Sequence, residues 1–140
     1  MRNELVFKIK NNFSELAKVA GTFHDFSKKI KLPQNVSQAI DLTLDEILNN
    51  IILYGYEDQN EHFIDISISV EDDTVCLEIV DDGRKFNPLD APQPDTKSAL
   101  EARPVGGLGI HLIRNVMDEI HYTYKNNRNY LVMKKKFKET

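Results

Sequence analysis

Glu46 and Asn50 stand four residues apart in a stretch of helical periodicity, and both fall where apolar residues belong. At about 100° per residue, Val36, Ile40, Leu44, Ile47, Leu48 and Ile51 form one broad apolar arc. Glu46 and Asn50 project inside that arc, beside Ala39, Leu42 and Leu53. Their neighbours Asp45 and Asn49 fall on the opposite, polar side with Gln38 and Asp41, where solvent accounts for them. Burying a carboxylate and a carboxamide one turn apart is costly unless something pairs with them, so either a hydrogen-bond network or a bound metal and substrate is implied. Asp81 poses the same question on a strand. Counted by twos from Val75 through Leu77 and Ile79, it continues the inward face, whereas Asp82 falls on the other face. Gly83 follows, where a glycine lets a ligand approach the backbone or lets the chain take positive φ. Gly106-Gly107-Leu108-Gly109 then opens an amphipathic segment, and free N–H groups at a helix start favour an anion such as phosphate. Four of the six glycines are in these two places, so backbone freedom is concentrated around one candidate site. No Gly-x-x-x-x-Gly-Lys-Ser/Thr is present, which excludes a P-loop.

These residues need elements to carry them. Alternation of Leu5, Phe7 and Ile9 predicts an opening strand, and Asn12 with Glu15 resembles a capping pair for a helix bearing Leu16, Val19, Ala20, Phe23 and Phe26. Pro33 suits the first turn of the long helix that carries Glu46 and Asn50 and closes at Gly55. Ile64 to Val70 and Thr74 to Val80 read as a hairpin turning at Glu71-Asp72-Asp73. From Asn87 to Val105 periodicity disappears, and four of the five prolines fall in or at the ends of the stretch; a loop of that length in a compact domain is more often functional than not. Gly109, Leu112, Ile113, Val116, Met117 and Ile120 predict a third helix. His121 to Lys125 and Tyr130 to Phe137, separated by the polar Asn126-Asn127-Arg128-Asn129, predict a closing hairpin. The order implies a two-layer α/β sandwich, a mostly antiparallel sheet with helices gathered on one face.

Size and charge bound the rest. With 140 residues and no repeats, the chain reads as a single domain, 1–140, with a lid at about 87–105. A net charge of −4 argues against general nucleic-acid binding through a basic surface. No apolar run approaches the roughly 20 residues of a membrane span. The lone Cys76 makes no internal disulfide and reads as a small core residue, and nothing at the N-terminus resembles a signal peptide. A cytoplasmic location is the expectation.

Taken in order, Glu46-x-x-x-Asn50, Asp81-Asp82-Gly83-Arg84-Lys85-Phe86-Asn87-Pro88 and Gly106-Gly107-Leu108-Gly109-Ile110-His111-Leu112-Ile113 resemble the N, G1 and G2 boxes of the GHKL ATPase/kinase superfamily, with its Bergerat ATP-binding fold. Asp41 to Tyr56, the short Pro-rich lid and Met117-Asp118-Glu119-Ile120 look like the anti-sigma-factor serine kinases of the RsbW type. The resemblance covers nearly the whole chain. It implies an ATP- and Mg²⁺-dependent serine/threonine protein kinase that binds a sigma factor, phosphorylates a small STAS-domain antagonist and forms a homodimer. The alternative is a non-catalytic, nucleotide-gated protein-binding module. By the resemblance, Asn50 would hold Mg²⁺ and Asp81 would accept a hydrogen bond from the adenine amino group, with Gly83 leaving room for the ring. Gly106, Gly107 and Gly109 would surround the phosphates, Glu46 would serve as general base or orienting group for the incoming hydroxyl, and the lid cations Lys97 and Arg103 are candidates for phosphate contact. The chain departs from the wider pattern at Lys85, where many relatives have glycine, and at Tyr54, where related kinases commonly have histidine.

Overall fold

A computed structural model describes residues 2–90 and 107–137. Strand β1 (Arg2–Lys10) precedes helices α1 (Leu16–Ile30) and α2 (Gln34–Tyr54), the hairpin β2 (Phe63–Glu71) and β3 (Thr74–Asp81), a 3-10 turn (Pro88–Asp90), helix α3 (Gly107–Val116), and the hairpin β4 (Glu119–Lys125) and β5 (Arg128–Lys136). The five strands form one sheet in the order β1-β2-β3-β5-β4 with every neighbouring pair antiparallel. Period-two alternation sends Ile64, Ile66, Ile68 and Val70 of β2, Val75, Leu77 and Ile79 of β3, and Leu131 and Met133 of β5 into one core with Phe23 of α1 and Ile40, Leu44, Ile47, Leu48 and Ile51 of α2. No described element covers the opposite face of the sheet, giving among the described residues the two-layer α/β sandwich with an antiparallel sheet and helices on one side.

The long helix is the centre of the helical layer: α2 packs on α1, on α3 and on the Pro88–Asp90 turn. A hydroxyl pair, Ser27 Oγ and Ser37 Oγ at 2.7 Å, ties α1 to the first turns of α2. Several local expectations are adjusted. Pro33 is the N-cap of α2 rather than its first helical residue, with ψ of 142° before the helix begins at Gln34. Asn12 makes no side-chain cap; its Oδ1 accepts from Ser14 Oγ, and Glu15 Oε1 instead accepts from Lys10 N–H at 2.9 Å. The third helix stops at Val116, because Asp118 N–H donates to Lys134 O at 2.8 Å and its carboxylate accepts from Lys136 N–H at 2.6 Å, which draws the chain into the sheet and puts Ile120 on β4. Cys76 is half-buried on the uncovered face of the sheet, across the strand from the core residues Val75 and Leu77. The closing turn needs only Asn126 and Asn127, both with positive φ (53° and 60°), as a two-residue hairpin turn requires. Asn129 therefore belongs to β5 and not to the loop.

Candidate functional site

Two side chains of α2, the end of β3, the start of β5 and the first turn of α3 build the site. Glu46 is 4% exposed and Asn50 is 5% exposed, one helical turn apart, while Asp45 is exposed and Asn49 half-buried. Glu46 reaches across to α3: the Cα of Gly109 packs against the end of its side chain so closely that a Cβ there would overlap Glu46 Cγ and Cδ. The glycine makes room for the carboxylate. Glu46 Oε2 is buried with no hydrogen-bond partner among the described residues. Burial, and secondarily the charge of Asp45, pushes this carboxyl above the usual glutamate range. A carboxylate oxygen stripped of water and left unpaired costs on the order of 1–3 kcal/mol, which a folded chain sustains most readily where another molecule supplies the missing donor.

Asn50 Nδ2 donates to the Pro88 carbonyl at 2.9 Å. Because a carbonyl can only accept, this bond fixes which end of the amide is nitrogen, and no hydrogen bond among the described residues uses Oδ1. Asn87 sets Pro88 in place, since its Oδ1 accepts from Leu89 N–H at 3.0 Å and its carbonyl accepts from Asp90 N–H at 2.9 Å. The end of the β3 loop is thereby anchored on α2.

Asp81 closes β3 on the inner face, 3% exposed, opposite Ile64 on one side and Asn129 on the other. Its Oδ1 accepts from Gly83 N–H at 2.9 Å and from Asn129 Nδ2 at 3.0 Å; no bond among the described residues uses Oδ2. Burial raises the carboxyl's pKa and the two donors partly counter it. Gly83 is pressed against the end of α2, where a Cβ would overlap the Gly55 carbonyl oxygen, and the next residue, Arg84, donates its N–H to that oxygen at 2.8 Å. Arg84 also donates Nε to Tyr54 O at 2.7 Å and places its guanidinium over the Phe86 ring, 5.1 Å from the centroid.

Asn129 is a site residue that pattern reading passes over. It is 2% exposed and saturated: Nδ2 donates to Asp81 Oδ1 and to Arg84 O (2.7 Å), while Oδ1 accepts from Phe86 N–H (3.0 Å) and from Tyr122 Oη. A polar tetrad beside a turn hides it; only the two-residue turn, which makes it the second residue of β5, points inward. Gly107 lies in the first turn of α3. Arg103, Gly106, Lys97 and the lid expected from about 87 to 105 lie, beyond Asp90, outside the described residues.

Asp82, on the other face, is held by His62, whose Nδ1 is 3.1 Å from Asp82 Oδ1 and whose Nε2 is 2.7 Å from Asp58 Oδ1, with Tyr56 stacked on the ring at 4.6 Å. Two carboxylates satisfy both ring nitrogens only when the ring is the doubly protonated cation. The hydrogen bond to Asp58 is the main cause raising His62 above its ordinary 6.5, and the reciprocal bond lowers Asp58 below its ordinary 3.8. For a histidine whose folded value is raised, the stabilisation is complete below 6.5 and fades as pH rises through the folded value. Thermal melts of the wild-type chain and His62→Gln should thus differ most on the mildly acidic side and converge as the pH becomes alkaline; a gap independent of pH would contradict the clamp.

A family model described as the histidine kinase-like ATPase domain matches residues 9–135. An anti-sigma F factor from Anoxybacillus flavithermus is 32% identical over 132 residues, covering 91% of this chain and 87% of that protein. An anti-sigma F factor from Bacillus subtilis is 30% identical over 125 residues, 86% and 82% of the two chains. The serine/threonine-protein kinase BtrW of Bordetella bronchiseptica is 28% identical over 94 residues, 67% of this chain and 66% of that protein. Matched from the last inward residue of β1 almost to the end of β5, the chain belongs to the histidine kinase-like ATPase domain family.

Proposed function

We propose that this chain is an ATP- and Mg²⁺-dependent serine/threonine protein kinase and anti-sigma-type regulator, whose acceptor is a small STAS-domain antagonist in a partner-switching system. The observation that carries the reading is the buried Glu46 Oε2, without a hydrogen-bond partner among the described residues, beside Asn50 and against a glycine at the start of a helix. The family description supports ATP, and the printed names of the relatives support both a kinase and an anti-sigma role. The residues fit MgATP: Asn50 offers a carboxamide oxygen to a hard cation, Asp81 Oδ2 is left as an acceptor, and the α3 N-terminus offers N–H groups to an anion. When bound, MgATP supplies the activated γ-phosphoryl group, with the cation neutralising its charge. Glu46 then holds the acceptor hydroxyl and takes its proton, the unpaired oxygen being the acceptor for that O–H. A raised carboxyl pKa suits this task by increasing basicity, provided the group is ionised at the working pH.

Equilibrium dialysis with labelled ATP and Mg²⁺ tests the nucleotide half. Asp81→Ala removes the acceptor facing the base, and about a hundredfold weaker ATP binding is the expected outcome. No binding by the unaltered chain at millimolar nucleotide would end the proposal, and tight binding without transfer to any protein would leave the nucleotide-gated binding module.

A further inference from the structure

We propose that Asn129, backed by Tyr122, is the positioning residue that decides which purine the pocket accepts: its amide NH₂ occupies Asp81 Oδ1, so only Oδ2 faces the base, as an acceptor, which suits an amino-substituted purine and rejects an oxo-substituted one. The inference rests on the nucleotide-binding reading above.

The geometry permits one orientation of the Asn129 amide. Phe86 N–H can only donate, and Arg84 O can only accept. Turning the amide over would set nitrogen against an N–H and oxygen against both a carbonyl and the Asp81 carboxylate. Tyr122 Oη, reaching from β4, donates to the same Oδ1 and fills its remaining capacity. Asn129 is therefore locked at both ends, and register places it directly opposite Asp81 across the β3–β5 ladder. Its second donor bond, to Arg84 O, holds the loop whose Gly83 N–H is the other donor to Asp81 Oδ1. Both fixed donors converge on one carboxylate oxygen, and that convergence points the other away from them.

The chemical consequence concerns position 6 of a purine. An exocyclic amino group donates to Oδ2, whereas a carbonyl there would face a carboxylate oxygen, acceptor against acceptor. Removing Asn129 takes away one of the two donors that hold a buried carboxylate in its charged form and in one rotamer. A freer Asp81, able to rotate or to take up a proton, could then donate to an oxo group, and discrimination would fall.

Labelled ATP and GTP, each with Mg²⁺, are to be dialysed against the unaltered chain, Asn129→Ala and Tyr122→Phe, with a cooperative thermal transition as the check on folding. The unaltered chain should favour ATP, and Asn129→Ala should lower the ATP:GTP affinity ratio by about tenfold or more. Tyr122→Phe should move the ratio the same way by a smaller factor, about threefold, because Phe86 N–H still holds Oδ1. A residue with a merely structural role would weaken both nucleotides alike, and an unchanged ratio in Asn129→Ala overturns the proposal. If that variant gives no cooperative transition, Tyr122→Phe decides: a lowered ratio supports the assignment and an unchanged one overturns it. ATP binding by the unaltered chain with unchanged ratios refutes the role of Asn129 alone, whereas no ATP binding refutes the nucleotide reading together with it.

Discussion

Glu46→Gln is expected to lower phosphate transfer by a factor of about 10³ while ATP affinity changes little. Glutamine has the same shape and keeps an oxygen near Gly109, so the packing of α2 on α3 survives. What it lacks is the charge and basicity needed to take a hydroxyl proton. Among the described residues Glu46 makes no hydrogen bond to Asp81 or Asn129, where the base is proposed to bind, so the loss should appear in the chemical step. Stability supplies a second, independent readout. Glu46 Oε2 is buried without a hydrogen-bond partner among the described residues and burial disfavours the charged carboxylate, so a neutral amide there lifts part of that cost and the melting temperature of Glu46→Gln should equal or exceed that of the wild type. Single-turnover transfer from labelled ATP to an acceptor protein, alongside titration calorimetry and thermal melts, measures all three quantities. Transfer surviving within a factor of about ten would remove Glu46 from the role of base.

The second large effect is expected at Gly83. Its φ lies outside the left-handed region, so the requirement is space: a Cβ would overlap the Gly55 carbonyl oxygen, a backbone atom with no rotamer to escape into. Accommodating alanine means pulling the β3 loop off the end of α2, which strains the Arg84 N–H···O=C Gly55 bond and moves the N–H that Gly83 gives to Asp81. Overpacking of this kind costs about 3 kcal/mol, and for a chain of 140 residues that corresponds to a melting temperature lower by about 10 °C. ATP affinity should fall with it, because Asp81 loses one of its two fixed donors. The discriminating measurement is ATP binding well below the melting transition, where folded Gly83→Ala protein still predominates. Normal affinity there would mean that the loop and the Asp81 carboxylate are positioned independently.

Gly83 also marks where sequence reading reaches its limit. A glycine two residues after an inward aspartate signals a close approach, but the approaching group named by the resemblance is a nucleotide ring, and the contact seen in the fold is the carbonyl of Gly55, 28 positions earlier in the chain. Periodicity is a property of one element at a time. It separates Glu46 and Asn50 from Asp45 and Asn49, because a helix repeats every 3.6 residues and the apolar arc on α2 is unbroken. It separates Asp81 from Asp82, because a strand alternates strictly.

Contacts between elements carry no such local signature. Asn129 stands in a run of polar residues whose composition reads as a turn, and it becomes a buried partner of Asp81 only through the β3–β5 register. Gly109 begins an amphipathic segment in the sequence, yet its lack of a side chain is used by Glu46 on another helix. The end of α3 is similar: apolar spacing continues the helix to Ile120, and the Asp118 bonds to β5 end it after Val116.

The sequence by itself determined the element order, the two-layer arrangement and the inward-facing polar residues Glu46, Asn50 and Asp81, because local stereochemistry prescribes which way each side chain points from its own backbone. Only the tertiary structure decided which groups meet. Among the described residues Glu46 is left with a buried unpaired oxygen, Asp81 has one oxygen occupied and the other available, and Asn129 is locked between Asp81 and Tyr122. Hydrogen bonding acts through a few ångströms of space and is indifferent to distance along the chain.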